Sequence, residues 1–313
     1  MSGASMMLVA LAIDALIGWP KLLYEAIGHP VTWMGRLIGF LDRHFGGDGI
    51  DDRARRMGGI ATLVIVVGIA AEIAWLLTFL LPEGNLGIVL GGILAWPFIA
   101  TRSLREHVSA VADDLDAGDM RSARVSVSRI VGRDPDQLDE AGISRAALES
   151  LAENSSDGIV APVFWGVILG LPGIVAYKAI NTLDSMIGHR TPRHEAFGWA
   201  SAKLDDLVNI IPARLTGALY ALLSGHPGVA LTTMLRDARR HRSPNAGWPE
   251  AALAGGLGVR LSGPRSYADG ISDEPWLNLG APDPGPADLR RGLRLYGYVI
   301  LALVALVAVS ALA

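Results

Sequence analysis

The chain contains no cysteine. That excludes disulfides, a thiol nucleophile and any cysteine-based zinc site, and leaves carboxylates, histidine or substrate oxygens to hold a metal. It also has no GxxxxGK(S/T) loop, no HExxH, no GxSxG and no GxGxxG in a strand–helix setting, so a standard P-loop and several hydrolase and dinucleotide sites are excluded. Charge is sparse as well: 19% of residues are charged, the formal net charge is −4, and no long basic run occurs. This balance implies no nucleic-acid partner. The N-terminus lacks the basic flank and cleavage site of a signal peptide, so its first apolar run is expected to be a retained anchor.

What is present is apolar and clustered. Of the 313 residues 51% are hydrophobic, and the mean hydropathy is +0.37. Four runs, 4–19, 58–81, 85–101 and 295–313, approach the ~20 residues needed to cross hydrocarbon. Gly87 and Gly91 form a small-xxx-small pair suited to close helix packing, although simple tolerance of glycine would also explain them. Two more apolar runs are interrupted. Residues 158–177 contain Pro162, Gly166, Gly170, Pro172 and Gly173, and residues 207–224 contain Pro212 and Arg214. Proline removes a helical donor, and irregular backbone at membrane depth survives only where protein or water covers it. Both runs are therefore expected to line a site or to re-enter the membrane.

The cations give an orientation. Lys and Arg number 6 in 20–57, 7 in 102–157, 4 in 178–206 and 9 in 225–294, with none in the N-terminal run, the 82–84 turn or the C-terminus. Positive loops stay cytoplasmic. Segments 20–57, 102–157 and 225–294 are thus expected to be cytoplasmic, both termini outside, and 178–206 returned to the cytoplasmic side. The predicted fold is all-α: a polytopic integral membrane bundle with interrupted or re-entrant helices and cytoplasmic helical segments. It is read as one membrane-embedded catalytic domain, 1–313, in the inner cell membrane with its site facing the cytoplasm.

Polar residues concentrate between Glu149 and Thr216, bordering or interrupting the apolar runs, where ionisable groups are expensive to keep and mark a site by default. Glu149, Glu153 and Asp157 are spaced by four. On a continuous helix they share a face, and their mutual repulsion calls for a cation such as Mg²⁺; the plainer reading is a solvated acidic face. Asn181, Asp184, Asp205, Asp206 and Asn209 form a second oxygen-rich set, suited to Mg²⁺ or a polar substrate, or else to capping and turn chemistry. Lys178, His189, Arg190, Arg193 and Arg214 supply cations. Arg190 and Arg193 read as membrane-surface anchors, whereas Arg214, inside an apolar run, is the sharper candidate for gripping phosphate or carboxylate. His29 reads as structural, and Ser155 and Ser156 have no adjacent base in sequence. From these residues alone the chain is a polytopic membrane enzyme handling an anionic, phosphate-bearing substrate with Mg²⁺.

Several long motifs in one order carry a family resemblance. They are His29-Pro30-Val31 with Gly35, SRIVGRDP (128–135), ESLAENSSDGIVAPVFWG (149–166), YKAINTLDSMIG (177–188), FGWASAKLDDLVNIIPARLT (197–216) and SPNAGWPEAALAGGLGV (243–259). Nearly the whole chain resembles the adenosylcobinamide-phosphate synthase family of cobalamin biosynthesis. One departure is Trp19, which stands where that family usually has Asp. The resemblance implies an integral membrane ligase that joins adenosylcobyric acid to (R)-1-amino-2-propanol, or its O-phosphate, through an amide bond, using ATP and Mg²⁺. Activation of the carboxylate by phosphorylation would supply the leaving group that an unaided acid lacks.

On that reading Glu149, Glu153, Asp157, Asp184 and Asp205 are metal ligands. Asn154, Asn181, Asp184, Asn209, Asn245 and Glu250 lie on the nucleotide and substrate side. Lys178 and Arg214 take phosphate charge, and Asp206 is the base. The runs at 158–177 and 251–259 are expected to accommodate the corrin edge. A transporter or sensor of a corrinoid or organic anion is the competing class. The amine form and the oligomeric state, a homo-oligomer included, are left open.

Overall fold

The computed structural model describes residues 2–47, 51–132, 135–189, 191–267, 270–272 and 274–312. Arg190 and positions 133 and 134 of the SRIVGRDP run lie outside the described residues. The helices are α1 (Gly3–Ile17), α2 (Lys21–Ile27), α3 (Pro30–Phe45), α4 (Asp52–Leu80), α5 (Asn85–Ala95), α6 (Thr101–Asp116), α7 (Met120–Ser128) and α8 (Glu140–Ser155). They continue with α9 (Ala161–Ile187), α10 (His194–Phe197), α11 (Trp199–Val208), α12 (Ile210–Leu223), α13 (Pro227–Asp237), α14 (Gly247–Leu257) and α15 (Pro286–Leu312). The all-α polytopic expectation holds: four described helical stretches are long and apolar enough to cross a membrane, or up to six if each bent pair counts as one span.

The chain divides into two compact units, the first formed by 1–100, 161–209 and 304–313 and the second by 101–160 and 210–303. In the first unit α4 packs against α3, α9, α10 and α11, and α1 packs against α5 and α9. Small residues let these backbones approach, which is what holds helices together where lipid removes the hydrophobic drive. A Cβ at Gly59 would collide with the Phe197 carbonyl, and one at Gly198 with the Ile187 carbonyl. Gly87 and Gly91 are both buried on α5; their neighbour Gly92 is the glycine that lies against Val9 of α1.

In the segment 20–57 most of the first half is helical, as α2 and α3. His29 caps α3, its Nδ1 accepting from the Val31 amide at 3.2 Å, while the Thr32 hydroxyl receives the His29 amide at 3.3 Å. Pro30 opens the helix, where its missing N–H costs nothing. The α2–α3 segment is bent by 109° from α1.

The break expected in 158–177 falls at Gly170, whose φ of 67° and ψ of −152° leave the helical region. Only glycine adopts that φ without strain, and Pro172 follows immediately. The run 207–224 is interrupted at Asn209, between α11 and α12, rather than at Pro212, which sits in the first turn of α12 where a lost donor is harmless.

In the second unit α14 is central. Every one of its residues is buried, and it packs against α8, α12 and α13. Gly255 lies against Thr233 and Ala230, and Gly256 against Ser224. This corrects the expectation that 251–259 accommodates a corrin edge: the small residues of 251–257 serve helix-to-helix packing inside this unit and leave no surface. The Gly- and Pro-rich stretch beyond α14 forms short antiparallel pairs that hydropathy did not signal. They are β1 (Leu261–Ser262) with a strand at Trp276–Leu277, and Arg265–Tyr267 with Gly270–Ser272. Arg145 and Arg260 stack over the Trp276 ring at 4.8 and 4.2 Å, and both reach the Asp283 carboxylate, at 2.7 and 2.6 Å.

Candidate functional site

The helical spacing of Tyr177, Lys178, Asn181 and Asp184 turns these side chains toward α11, which packs on α9. They meet Asp205 and Asn209 there. The Lys178 ammonium donates to Asn181 Oδ1 at 3.2 Å. Asn181 Nδ2 donates to Asp205 Oδ1 at 3.5 Å, and Asn209 Nδ2 donates to Asp205 Oδ2 at 3.0 Å. The Tyr177 hydroxyl donates to Asn209 Oδ1 at 2.9 Å. Tyr177, Asp205 and Asn209 are all buried. The charges of Asp184 and Asp206 both act on Asp205. The second set read from the sequence is therefore one physical cluster. Asp206 itself turns toward Lys203, 3.8 Å away on the more exposed side of α11.

This cluster fits a hard divalent cation on two counts. Its donors are carboxylate and amide oxygens, the set that Mg²⁺ takes along with phosphate oxygens and water. A Cβ at Gly188 would collide with Asp184 Oδ1, so glycine leaves room for that carboxylate where it stands. Among the described residues no group of three or more His, Asp or Glu side chains is assembled as a metal centre. A cation here would be held by two carboxylates at most, with the remaining positions filled by amide, substrate or water oxygens.

The first unit also holds an apolar cavity of about 480 Å³ whose walls include Trp19, Trp33, Trp96, Ile73, Leu171 and Val175. Trp19 meets His29 edge-on with centroids 4.6 Å apart and Trp96 at 5.2 Å. The charge of Lys178 also acts on His29.

The second unit has its own polar cluster around the start of α14. Arg214 lies over the Trp248 ring, 4.4 Å from its centroid, and donates to Asn245 Oδ1 at 3.2 Å. Glu250 is buried, with its Oε1 3.7 Å from His241 Nε2. The three acids spaced by four do not present one exposed face. Glu149 is buried and accepts the Ser262 amide at 2.7 Å. Glu153 is exposed, and Asp157 is half-buried in a π-helical turn, Ser156–Val160, which alters the spacing after Glu153. Asn154 donates to the Ser150 carbonyl and hydroxyl at 3.0 and 3.1 Å. Ser155 pairs with the Tyr220 hydroxyl at 2.8 Å, a structural role. Arg193 donates to Asp42 at 3.2 Å, and His189 is exposed at the end of the α9 segment.

Comparison with known proteins decides the family. A sequence model described as CobD/Cbib protein matches residues 7–296. The chain belongs to the CobD/Cbib family. It is 62% identical over 296 residues to a Rhodobacter capsulatus protein named cobalamin biosynthesis protein CobD, covering 95% of this chain and 93% of the relative. Proteins of the same name from a Sinorhizobium species and from Brucella suis biovar 1 are 47% and 45% identical. The first match covers 86% of each chain; the second covers 97% of this chain and 95% of the relative. No solved structure matches. The resemblance carried by the motifs from His29 to Val259 is thus a family relationship spanning the chain.

Four members of the two clusters carry no assignment from the CobD/Cbib motifs read as sequence: Tyr177, Gly188, His241 and Trp248. A signal existed for the first. Tyr177, Asn181 and Asp184 stand at i, i+4 and i+7, the spacing of one helix face.

Proposed function

We propose that this protein acts in cobalamin biosynthesis as an ATP- and Mg²⁺-dependent amide ligase. It joins adenosylcobyric acid to (R)-1-amino-2-propanol or its O-phosphate, at the cytoplasmic face of the cell membrane. The observation that carries this reading is the family match over residues 7–296, with relatives named for cobalamin biosynthesis along nearly their whole length.

The residues support the chemistry. Asp184 and Asp205 would hold Mg²⁺, with Asn181 and Asn209 fixing the second carboxylate. A nucleotide with its metal would supply there the phosphoryl group that turns the substrate carboxylate oxygen into a leaving group, and the positive charge that offsets its transfer. Lys178 contributes a compact positive charge for phosphate oxygens. Arg214, held flat against Trp248, offers its planar fork to phosphate or carboxylate. Asp206, at the more exposed edge of α11, is the group placed to take a proton from the attacking ammonium. Glu153 and Asn154, which are exposed, and Asp157, which is half-buried, are further groups of the second unit that would act on substrate. Glu149, Asn245 and Glu250 act from buried positions by fixing the groups around them. The apolar cavity suits an apolar part of the large amphiphilic substrate.

The test is an assay of purified protein in detergent with adenosylcobyric acid, ATP, Mg²⁺ and either amine, read by mass. A product heavier by the amine minus water, formed only with ATP, establishes the ligase and identifies the amine. Asp184→Asn and Asp205→Asn should each abolish it in folded protein. No product with either amine from folded wild type overturns the reading, and uptake of labelled substrate into vesicles without product would replace it with transport.

A further inference from the structure

We propose that Tyr177 and Asn209 are positioning residues that fix the Asp205 carboxylate for a divalent cation, the Tyr177 hydroxyl acting through the Asn209 amide. The proposal rests on reading the Asp184–Asp205 cluster as a metal site.

The direction of each hydrogen bond follows from what each group can do. An ammonium only donates, so Lys178 must meet the oxygen of Asn181, and the Asn181 amide nitrogen is left to face Asp205 Oδ1. On the other side the Tyr177 hydroxyl donates to Asn209 Oδ1, and the Asn209 nitrogen faces Asp205 Oδ2. A turned-over Asn209 would set its carbonyl oxygen against a carboxylate oxygen, acceptor against acceptor. Each oxygen of Asp205 therefore receives one N–H and keeps a further lone pair for a cation.

The backbone reinforces this arrangement, because the Asn209 amide N–H caps α11 on the Asp205 carbonyl at 3.1 Å. Tyr177 is 2% exposed and Asn209 1% exposed, so bulk water does not replace the lost partner if the hydroxyl is removed. The Asn209 side chain then loses one of the two bonds that hold its orientation, while the Tyr177 ring, which fills the core, is untouched. Partners one step removed from a metal-bound group typically control affinity by roughly 10-fold to 100-fold.

The experiment is Mn²⁺ titration of the detergent-purified full chain, followed by electron paramagnetic resonance, for wild type, Tyr177→Phe, Asn209→Ser, Asp205→Asn and Tyr177→Phe/Asp205→Asn. Thermal melting is recorded for each without metal. Tyr177→Phe is expected to weaken Mn²⁺ binding about 10-fold or more, while the buried acceptor it leaves on Asn209 lowers the metal-free melting temperature only modestly. Asn209→Ser is expected to weaken it at least as much. In the Asp205→Asn background the Tyr177 change should have no further effect, because its influence passes through Asp205.

Wild-type Mn²⁺ affinity in Tyr177→Phe, or an equal loss with and without Asp205, overturns the positioning role. Absence of Mn²⁺ binding by wild type, or binding untouched by Asp205→Asn, overturns the metal reading and this proposal with it. Mn²⁺ binding that follows the expected series in a protein forming neither amide product would overturn the ligase reading alone.

Discussion

The guanidinium of Arg214 is held on three sides by its own unit. It lies 4.4 Å from the centroid of Trp248, and its Nη1 donates to Asn245 Oδ1 at 3.2 Å and to the Ile210 carbonyl at 2.7 Å. A planar cation so clamped presents its remaining N–H groups in a fixed direction. Lysine keeps the charge but neither the plane nor the fork. Arg214→Lys should therefore lower kcat/KM for ligation by about 10-fold or more, as expected when a charge-assisted bond worth roughly 1.5–3 kcal/mol is lost. Steady-state kinetics at several substrate concentrations check this. Activity equal to wild type would remove Arg214 from substrate recognition.

Glu149 separates a structural from a chemical carboxylate. Its Oε1 accepts the amide of Ser262, a residue at a positive φ of 62° in the short β1 strand. Glu149→Ala leaves that buried N–H without its charged acceptor, at a cost of about 1.5–3 kcal/mol. The expected result is a lower melting temperature with an unchanged Mg²⁺ requirement for ligation. A raised Mg²⁺ requirement in a protein that melts normally would instead make Glu149 a ligand.

Gly188 is tested by one methyl group. Because a Cβ there collides with both the side chain and the carbonyl of Asp184, Gly188→Ala should displace the carboxylate. Ligation is expected to fall by about 10-fold or more, judged from the cost of misplacing a group that must be aimed. A Gly188→Ala protein with full activity would show that Asp184 has no fixed duty.

Acid should weaken the second unit at Asp237. Burial pushes this carboxyl up, but hydrogen bonds from Arg236 and from the Asn278 amide, with the charges of Arg236 and Arg240, outweigh it and hold the carboxyl below the ordinary range. A carboxyl depressed in the folded state contributes stability that is present above its unfolded value, near 3.9, and is lost as pH falls through the folded value. Asp237→Asn should melt below wild type near neutrality, and the gap should close as pH falls below ~4. A gap independent of pH would mean that shape rather than charge explains it.

The sequence was most legible where one physical requirement acts alone. Lengths of apolar residues located the spans of α4 and α15 because only covering hydrocarbon asks for them. The glycines and prolines of 158–177 announced an interruption, which falls at Gly170, since both residue types disfavour a helix. The polar set from Asn181 to Asn209 was visible because charges within apolar sequence are rarely idle. Legibility failed where two segments distant in sequence had to meet. Nothing in 251–259 distinguishes small residues that open a binding surface from small residues that let α14 approach its neighbours. The π turn after Ser155 gives no composition signal, so the common face expected for Glu149, Glu153 and Asp157 was read from ideal helical spacing. Tyr177 stood on the right face, but its hydroxyl acquires meaning only through Asn209, a residue on another element.

The absence of a side chain at Gly188 also makes a prediction for heredity. A missense change there removes no side chain, and the nearest atoms its Cβ meets all belong to Asp184, so the polypeptide is expected still to accumulate in membranes. Under the proposed function, a strain with Gly188→Val as its sole copy would nevertheless need its corrinoid product from the medium, an auxotroph that antibody staining would score as normal.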